Sequence, residues 1–395
     1  MNKITLLYDF LLEEGGLERV MITQTKHLSK DHHVTASFAT INARLRTLFP
    51  ENVTLTEHDG TFNNNTLKII HSFLNINSLK KYKDTRLFIS HSFICTRLAN
   101  WMKKKYKIPY AVFLHHPPNF LYFKGDIKEW GYDTGRKVAM ATGITFGPLL
   151  RAIDRRVVRE ADKVFVNSYY TKRRIEKIYG IDATVIYPTL PHKNFSIKKE
   201  KDTDYIFNKY NLKKYIFCTG RLIPDKKYEW LVKALPFIQD KEIELVISGR
   251  INKDYEYFIR NIAIKNGTMH RIKFLGFVPD EDLIALFNRA ELFAYPSPEE
   301  DFGMVPVEAM ACGCPVVAWG DNAGPSETVI HSVNGYLAHP YDLQDFATKI
   351  QQTLDEDFKT KHKKEISKTV EKFKEENQIP TLLKEIESIK NKNIL

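Results

Sequence analysis

The sequence predicts an α/β chain of two doubly wound, parallel-sheet domains. Three observations carry this. Short apolar runs alternate with stretches of helical apolar spacing, the order that builds parallel sheets covered by helices. Two of those runs, residues 4–8 and 215–219, lead into glycine-bearing loops and then helices, which is how a doubly wound domain starts. Between them residues 192–204 are polar and charged and read as a linker. A chain of 395 residues is long enough for two or three domains. The expected divisions are 1–190, 205–375 and a terminal helical segment, 376–395.

The first half opens with a buried strand over residues 4–8, a loop of Glu13, Glu14, Gly15 and Gly16, and a helix over residues 17–28. A tight turn alone would explain the paired glycines; close approach of backbone to a ligand is the second reading. Strands are expected at 33–38, 67–70, 87–90, 110–114 and 163–168. Ser168 is a sound N-cap for a helix reaching Tyr179. The 110–114 strand runs directly into His115, His116, Pro117 and Pro118. Ligands of open α/β sheets bind beyond the carboxyl ends of strands, so both histidines are well placed.

Residues 120–159 are the least regular part. Phe123, Trp130 and Tyr132 mix there with Lys124 and Lys128, and an uncharged run, 138–150, ends against Arg151, Arg155, Arg156 and Arg159. The run is too short to span a bilayer. It reads either as a membrane-interface or acceptor-docking element or as an ordinary surface helix beside a loop.

In the second half the strand 215–219 is followed by Arg221 and, five residues on, Lys226. A guanidinium and an ammonium at a strand's carboxyl end can clamp a diphosphate. Strands are expected at 245–249 and 271–278, with Asp280, Glu281 and Asp282 capping the next helix. The richest stretch is 295–335. An apolar strand, 290–295, gives way to Pro296, Pro298, Glu299, Glu300, Asp301 and Gly303, and then to a helix over 305–312 with Pro306 in its first turn. The first-turn N–H groups lack intrahelical partners and favour an anion, most simply phosphate. Glu300 and Glu308 flank that point, one in the loop and one on the helix. Carboxylates accept hydrogen bonds from hydroxyls. A ligand with hydroxyls on both sides of a diphosphate is a nucleotide sugar. Beyond, 343–354 is helical, and 366–394 is charged and amphipathic with a break at Pro380.

These motifs resemble family 4 glycosyltransferases, retaining enzymes of the GT-B fold. The resemblance rests on Glu300 and Glu308 with seven residues between them, on Phe302-Gly303, on the run from Glu308 through Gly313, Pro315 and Ala318, and on Ala323-Gly324-Pro325-Ser326-Glu327 with His331 to Leu337. It is nearest to mannosyltransferases that build lipid-linked oligosaccharides or polysaccharides. It implies two Rossmann-like domains facing across a cleft, with the acceptor mainly on the first and the nucleotide sugar mainly on the second, and a terminal helix crossing back to the first. It implies that Gly15 and Gly16 approach the donor, that His115 contacts donor sugar or phosphate, and that Arg221 and Lys226 stabilise the departing diphosphate together with the helix start at Gly303, Met304 and Val305. Lys227 stands where glycine is common, so either lysine could be the one that reaches in. Phe302 adjoins that site. Gly249 and Val278 line the nucleobase region, Glu308 holds the ribose, and Glu300 holds the sugar hydroxyls and shapes the anomeric centre. Glu300, His115, Arg221 and Lys226 are the expected catalytic set.

The reaction expected is transfer of a hexose, mannose from GDP-mannose first, to a glycan or polyprenyl-linked acceptor. No metal and no cofactor are expected, because Arg221, Lys226 and the helix start at Gly303 would stabilise the departing diphosphate without one. A UDP-sugar hexosyltransferase of the same fold stays open. So do a GT-B epimerase, a non-catalytic GT-B subunit and a basic nucleic-acid-binding protein.

Charge is uneven. Residues 1–190 hold 29 Lys and Arg against 17 Asp and Glu; residues 191–395 hold 30 against 31. The excess in the first half suits an anionic partner, with a membrane surface favoured because no nucleic-acid module is present. Four scattered cysteines make no disulfide framework. No signal peptide and no spanning run are read, so the expected address is cytoplasmic, soluble or peripheral on a membrane.

Overall fold

The computed structural model describes residues 2–12, 15–58, 76–122, 134–190, 195–355 and 357–392. Two compact units divide the chain: Met1–Thr189 with Glu375–Leu395, and Leu190–Lys374.

The first unit holds a seven-stranded sheet in the order β3-β2-β1-β4-β5-β6-β7. Its strands are β1 (Lys3–Leu11), β2 (His33–Ile41), β3 (Thr54–Glu57), β4 (Leu87–Ser90), β5 (Tyr110–Leu114), β6 (Lys163–Val166) and β7 (Thr184–Val185). Every pairing is parallel. Side chains alternate along a strand, and β1 shows the result. Ile4 and Leu6 join the core under the helices Gly16–Leu28 and Glu375–Lys392. Leu7 joins the opposite core, built with the helices Phe93–Tyr106 and Tyr169–Tyr179. Ser168 accepts from Thr171 N–H at 2.9 Å, the cap the sequence predicts.

Three expectations fare differently here. The strand expected at 67–70, and the residues Glu13, Glu14, Phe123, Lys124, Lys128, Trp130 and Tyr132, lie outside the described residues. The third strand described is Thr54–Glu57, whose single strong apolar residue gives little signal. Pro380 does not break the last helix, which runs through it from Glu375 to Lys392. Proline inside a helix costs about 3 kcal/mol. Ile379, Leu382, Ile386 and Ile389 are buried in the first unit's core, and each contributes roughly 1.5–3 kcal/mol. Packing therefore wins. The interruption falls earlier, between the helix Phe358–Lys368 and the short turn Glu371–Phe373.

The second unit holds six parallel strands in the order β10-β9-β8-β11-β12-β13. They are β8 (Tyr215–Thr219), β9 (Glu244–Ser248), β10 (Ile272–Gly276), β11 (Leu292–Tyr295), β12 (Val316–Trp319) and β13 (Gly335–Ala338). The core is aromatic: Phe217, Phe287 and Phe293 meet edge-on. Residues 195–204, expected as linker, pack on this unit. Phe195 lies against Phe287, and Lys198 N–H donates to Asn288 Oδ1 at 2.8 Å. Arg271 precedes β10 rather than starting it, because its buried guanidinium donates to the carbonyls of Ile243, Leu235 and Asp240. The acidic triplet fills the first turn of the helix Asp280–Arg289, whose cap position is Pro279. Asp282 instead accepts from Tyr205, Lys209 and Tyr210.

Candidate active site

In both sheets the strand order reverses once, between β1 and β4 and between β8 and β11. The crevice at the carboxyl end of such a reversal is where doubly wound domains bind ligands.

In the second unit the residues of interest gather there. Arg221 follows β8 and is exposed; Lys226 ends the turn Pro224–Lys226. Lys226 Nζ donates to Glu300 Oε2, which comes from the loop after β11. It also lies 6.0 Å from the Tyr295 ring centroid. Lys227 goes elsewhere: it takes φ +54°, starts the helix Tyr228–Ala234, and sets its ammonium over Trp230 at 5.6 Å.

Burial would raise the Glu300 pKa. Lys226, the Tyr295 hydroxyl and the charge of Arg221 outweigh it and hold the carboxyl below its usual range. Glu300 is thus an ionised acceptor, suited to hydroxyls and unsuited to giving a proton.

The loop that carries Glu300 is pinned from the β12 side. Glu299 N–H donates to Asp321 Oδ2 at 3.0 Å, and Gly324 N–H to the Glu300 carbonyl at 2.8 Å. Trp319 Nε1–H reaches the Pro296 carbonyl at 2.8 Å. Gly303, at φ +81°, turns the chain into the helix Met304–Ala311, one residue earlier than expected, with Pro306 in its first turn. Met304 and Val305 open that turn. Phe302 is buried edge-on against Phe373, which keeps its ring out of reach of a ligand. Glu308 sits on the helix's second turn and is 3% exposed.

At the neighbouring strand end Gly249 has φ +126°, and a Cβ there would come within 1.7 Å of the Gly220 carbonyl oxygen. Only glycine lets these two strand ends meet. Gly249 N–H then bonds the Gly276 carbonyl at 2.7 Å. Val278, just beyond, is buried, while Phe277 is exposed.

In the first unit Gly15 is the extended N-cap of the helix Gly16–Leu28. A Cβ there would come within 2.6 Å of a Glu18 carboxylate oxygen. Glu18 accepts from the Tyr8 hydroxyl at 3.1 Å. His115 lies at the end of β5 and is 7% exposed. Its Nε2 is 3.2 Å from Nδ1 of His91. His116 turns to its own backbone, with Nδ1 2.9 Å from the Pro117 carbonyl.

Sequence reasoning missed His91 and Tyr295. The strand-end rule that finds His115 after β5 finds His91 after β4. Tyr295 reads as one more apolar residue of its strand. Among the described residues no group of three or more His, Cys, Asp or Glu could hold a metal ion.

Two doubly wound parallel-sheet units with this order of strands make the GT-B fold. HepE of Anabaena, solved with UDP and glucose, superposes with a TM-score of 0.77 over 98% of this chain and 100% of its own, at 21% identity. A family model described as Glycosyltransferase Family 4 matches residues 14–192, and one described as Glycosyl transferases group 1 matches residues 200–385. The chain belongs to glycosyltransferase family 4. Among curated relatives it is 29% identical over 226 residues to the D-inositol 3-phosphate glycosyltransferase of Mycolicibacterium smegmatis, covering 56% of this chain and 52% of that one. It is 29% identical over 223 residues to a GDP-mannose-dependent monoacylated α-(1-6)-phosphatidylinositol monomannoside mannosyltransferase of Corynebacterium glutamicum, covering 51% and 55%. The chain spans about half the length of these relatives.

Proposed function

We propose that the protein transfers a hexose from a nucleotide sugar to a glycan or polyprenyl-linked acceptor, with mannose from GDP-mannose as the leading donor. The observation that carries this is the Lys226–Glu300 pair with Arg221 at the β8/β11 reversal. Cations at a strand end stabilise a diphosphate as it leaves, and electrostatic stabilisation of developing charge is usually the largest catalytic contribution. Arg221 offers a planar fork to the phosphates and Lys226 a point charge. The N–H groups at Met304 and Val305 add to this. Glu300 accepts from the sugar hydroxyls beside the anomeric carbon, Glu308 from the ribose, and the backbone at Gly249 and Val278 meets the base. In the first unit Gly15 and Gly16 give close backbone approach, and His115 serves the sugar. The chemistry is retaining, by front-face substitution, and uses neither metal nor cofactor.

The mannosyl reading is supported by the name of the corynebacterial relative. The UDP in the HepE structure supports a UDP-linked hexose as the alternative. Calorimetric titration with GDP, UDP and ADP, beside Arg221→Ala, separates them. One diphosphate should bind tightly and more weakly in the variant; no binding by any of them would remove the proposal.

A peripheral site on the cytoplasmic face of a membrane completes the reading, with no nucleic acid involved. Its support is the helix Thr134–Arg159. Ile144, Phe146 and Leu149 are 70%, 55% and 63% exposed there, away from a buried stripe at Met140, Leu150 and Val157. Further along the same helix Ala152, Arg155, Arg156 and Arg159, with Glu160 just past its end, form an open surface patch. An apolar face ending in arginines fits an anionic lipid interface. Among the described residues no helix is long and apolar enough to cross a membrane.

A further inference from the structure

His91 closes β4 as His115 closes β5. The His91 backbone N–H donates to the Leu7 carbonyl at 3.0 Å, which fixes the residue beside β1. Its ring packs beside both Phe113, at 5.6 Å and 12°, and His115, at 5.5 Å and 23°. Phe113 and His115 also stack, at 4.8 Å. Both histidines are buried, 4% and 7% exposed. Three stacked rings in a close-packed core leave the imidazoles little freedom to turn.

The nitrogen-to-nitrogen contact of 3.2 Å needs one proton between two rings. Burial holds the His91 pKa down at about 3; burial and the neighbouring histidines hold that of His115 well below its ordinary value. Each ring is therefore neutral and has one N–H. His91 Nε2 is buried and has no hydrogen-bond partner among the described residues. Two arrangements are possible. If His115 donated, the His91 proton would sit on Nε2 as a buried N–H with nothing to receive it. If His91 donates from Nδ1, its Nε2 is only a bare lone pair. An orphaned buried N–H is the rarer and costlier state.

We propose that His91 is a positioning residue for His115: its Nδ1–H donates to His115 Nε2 and so holds the His115 proton on Nδ1. His115 then presents a neutral N–H donor, of fixed tautomer and orientation, instead of a lone pair. For the transfer reaction proposed above, on which this last step rests, such a group gives a hydrogen bond to a hydroxyl or phosphate oxygen of the donor. It does not work as a base.

The test is nitrogen NMR of histidine-labelled full-length protein at neutral pH, without substrate, with His91→Asn and His91→Phe. Asn can place an amide N–H near the position of Nδ1; Phe keeps the stack and cannot donate. The wild-type and His91→Asn proteins should show His115 protonated on Nδ1, and His91→Phe should show it shifted to Nε2. In transfer assays kcat of His91→Phe should fall about tenfold with KM little changed, and His91→Asn should recover most of it. A wild-type His115 protonated on Nε2 overturns the proposal, as does a His91→Phe protein with an unchanged His115 tautomer. The NMR result needs no turnover, so it stands or falls separately from the glycosyl-transfer reading.

Discussion

Lys226 and Glu300 meet across the point where the second sheet reverses its strand order, one residue delivered after β8 and the other after β11. They are 74 residues apart in sequence. In the unliganded protein each neutralises the other, and both keep roughly a fifth of their side-chain surface open. In the proposed reaction, a diphosphate arriving at Arg221 would compete with Glu300 for the Lys226 ammonium, and that competition would free Glu300 for hydroxyls.

Replacing Glu300 by Ala should abolish transfer, with a loss in kcat of about 10²–10³-fold or more. Binding of the nucleoside diphosphate should persist, since the cations remain. Steady-state kinetics beside calorimetry decides. A variant with near-normal turnover would contradict the role given to this carboxylate.

Arg221→Ala should weaken the nucleoside diphosphate about 10–100-fold, the worth of one charge-assisted hydrogen-bond pair. The bare nucleoside should be affected far less. Equal losses for the two ligands would place Arg221 away from the phosphates.

Asp154 gives a pH dependence in the first unit. It is buried, and the hydroxyl of Tyr179 donates to it at 2.7 Å. Burial raises its pKa to about 6, with the Tyr179 and Tyr122 hydroxyls and Arg155 opposing the rise. A carboxyl raised on folding favours the folded state while protonated. Its contribution is complete below about pH 4 and is lost as pH rises through about 6. Relative to Asp154→Asn, the wild type should therefore lose roughly 2–3 kcal/mol between those limits. Urea unfolding of both proteins across that range measures it, and a constant difference would refute it.

Liposome flotation tests the exposed face of the helix Thr134–Arg159. Vesicles containing anionic lipid should carry the protein up, and neutral vesicles should carry less. Ile144→Asp with Leu149→Asp, and separately Arg155→Glu with Arg156→Glu, should each reduce binding at least about tenfold, given roughly 1 kcal/mol per basic residue at such a surface. Unchanged melting temperatures would show that folding is intact. Flotation indifferent to lipid charge and to both pairs would remove the membrane reading.

Much of this molecule is legible in its residues. Leu87–Ser90 and Tyr110–Leu114 occur as predicted, because continuous apolar runs bounded by polar loops belong to strands buried on both faces. Thr54–Glu57 is not legible in the same way, since an edge strand with one covered face needs few apolar residues. Pro380 misleads because a local rule is overruled by the isoleucines and leucine around it. At the candidate site, residue types and spacing point to Arg221, Lys226 and Glu300. The choice between Lys226 and Lys227 rests on a left-handed residue that the sequence does not announce. His91 is harder still. Its significance is a contact with a residue on the adjacent strand, and a histidine between two serines carries no mark of that.

The first unit is discontinuous and the second is not. On a ribosome, Leu190–Lys374 is complete and free to fold before the helix Glu375–Lys392 exists. The first sheet, made earlier, must wait for it with the apolar surface around Ile4 and Leu6 only partly covered. The segment translated first is thus finished last. A nascent chain halted near Lys374 would carry a mature second unit beside an open, sticky first one, which is the kind of surface chaperones hold.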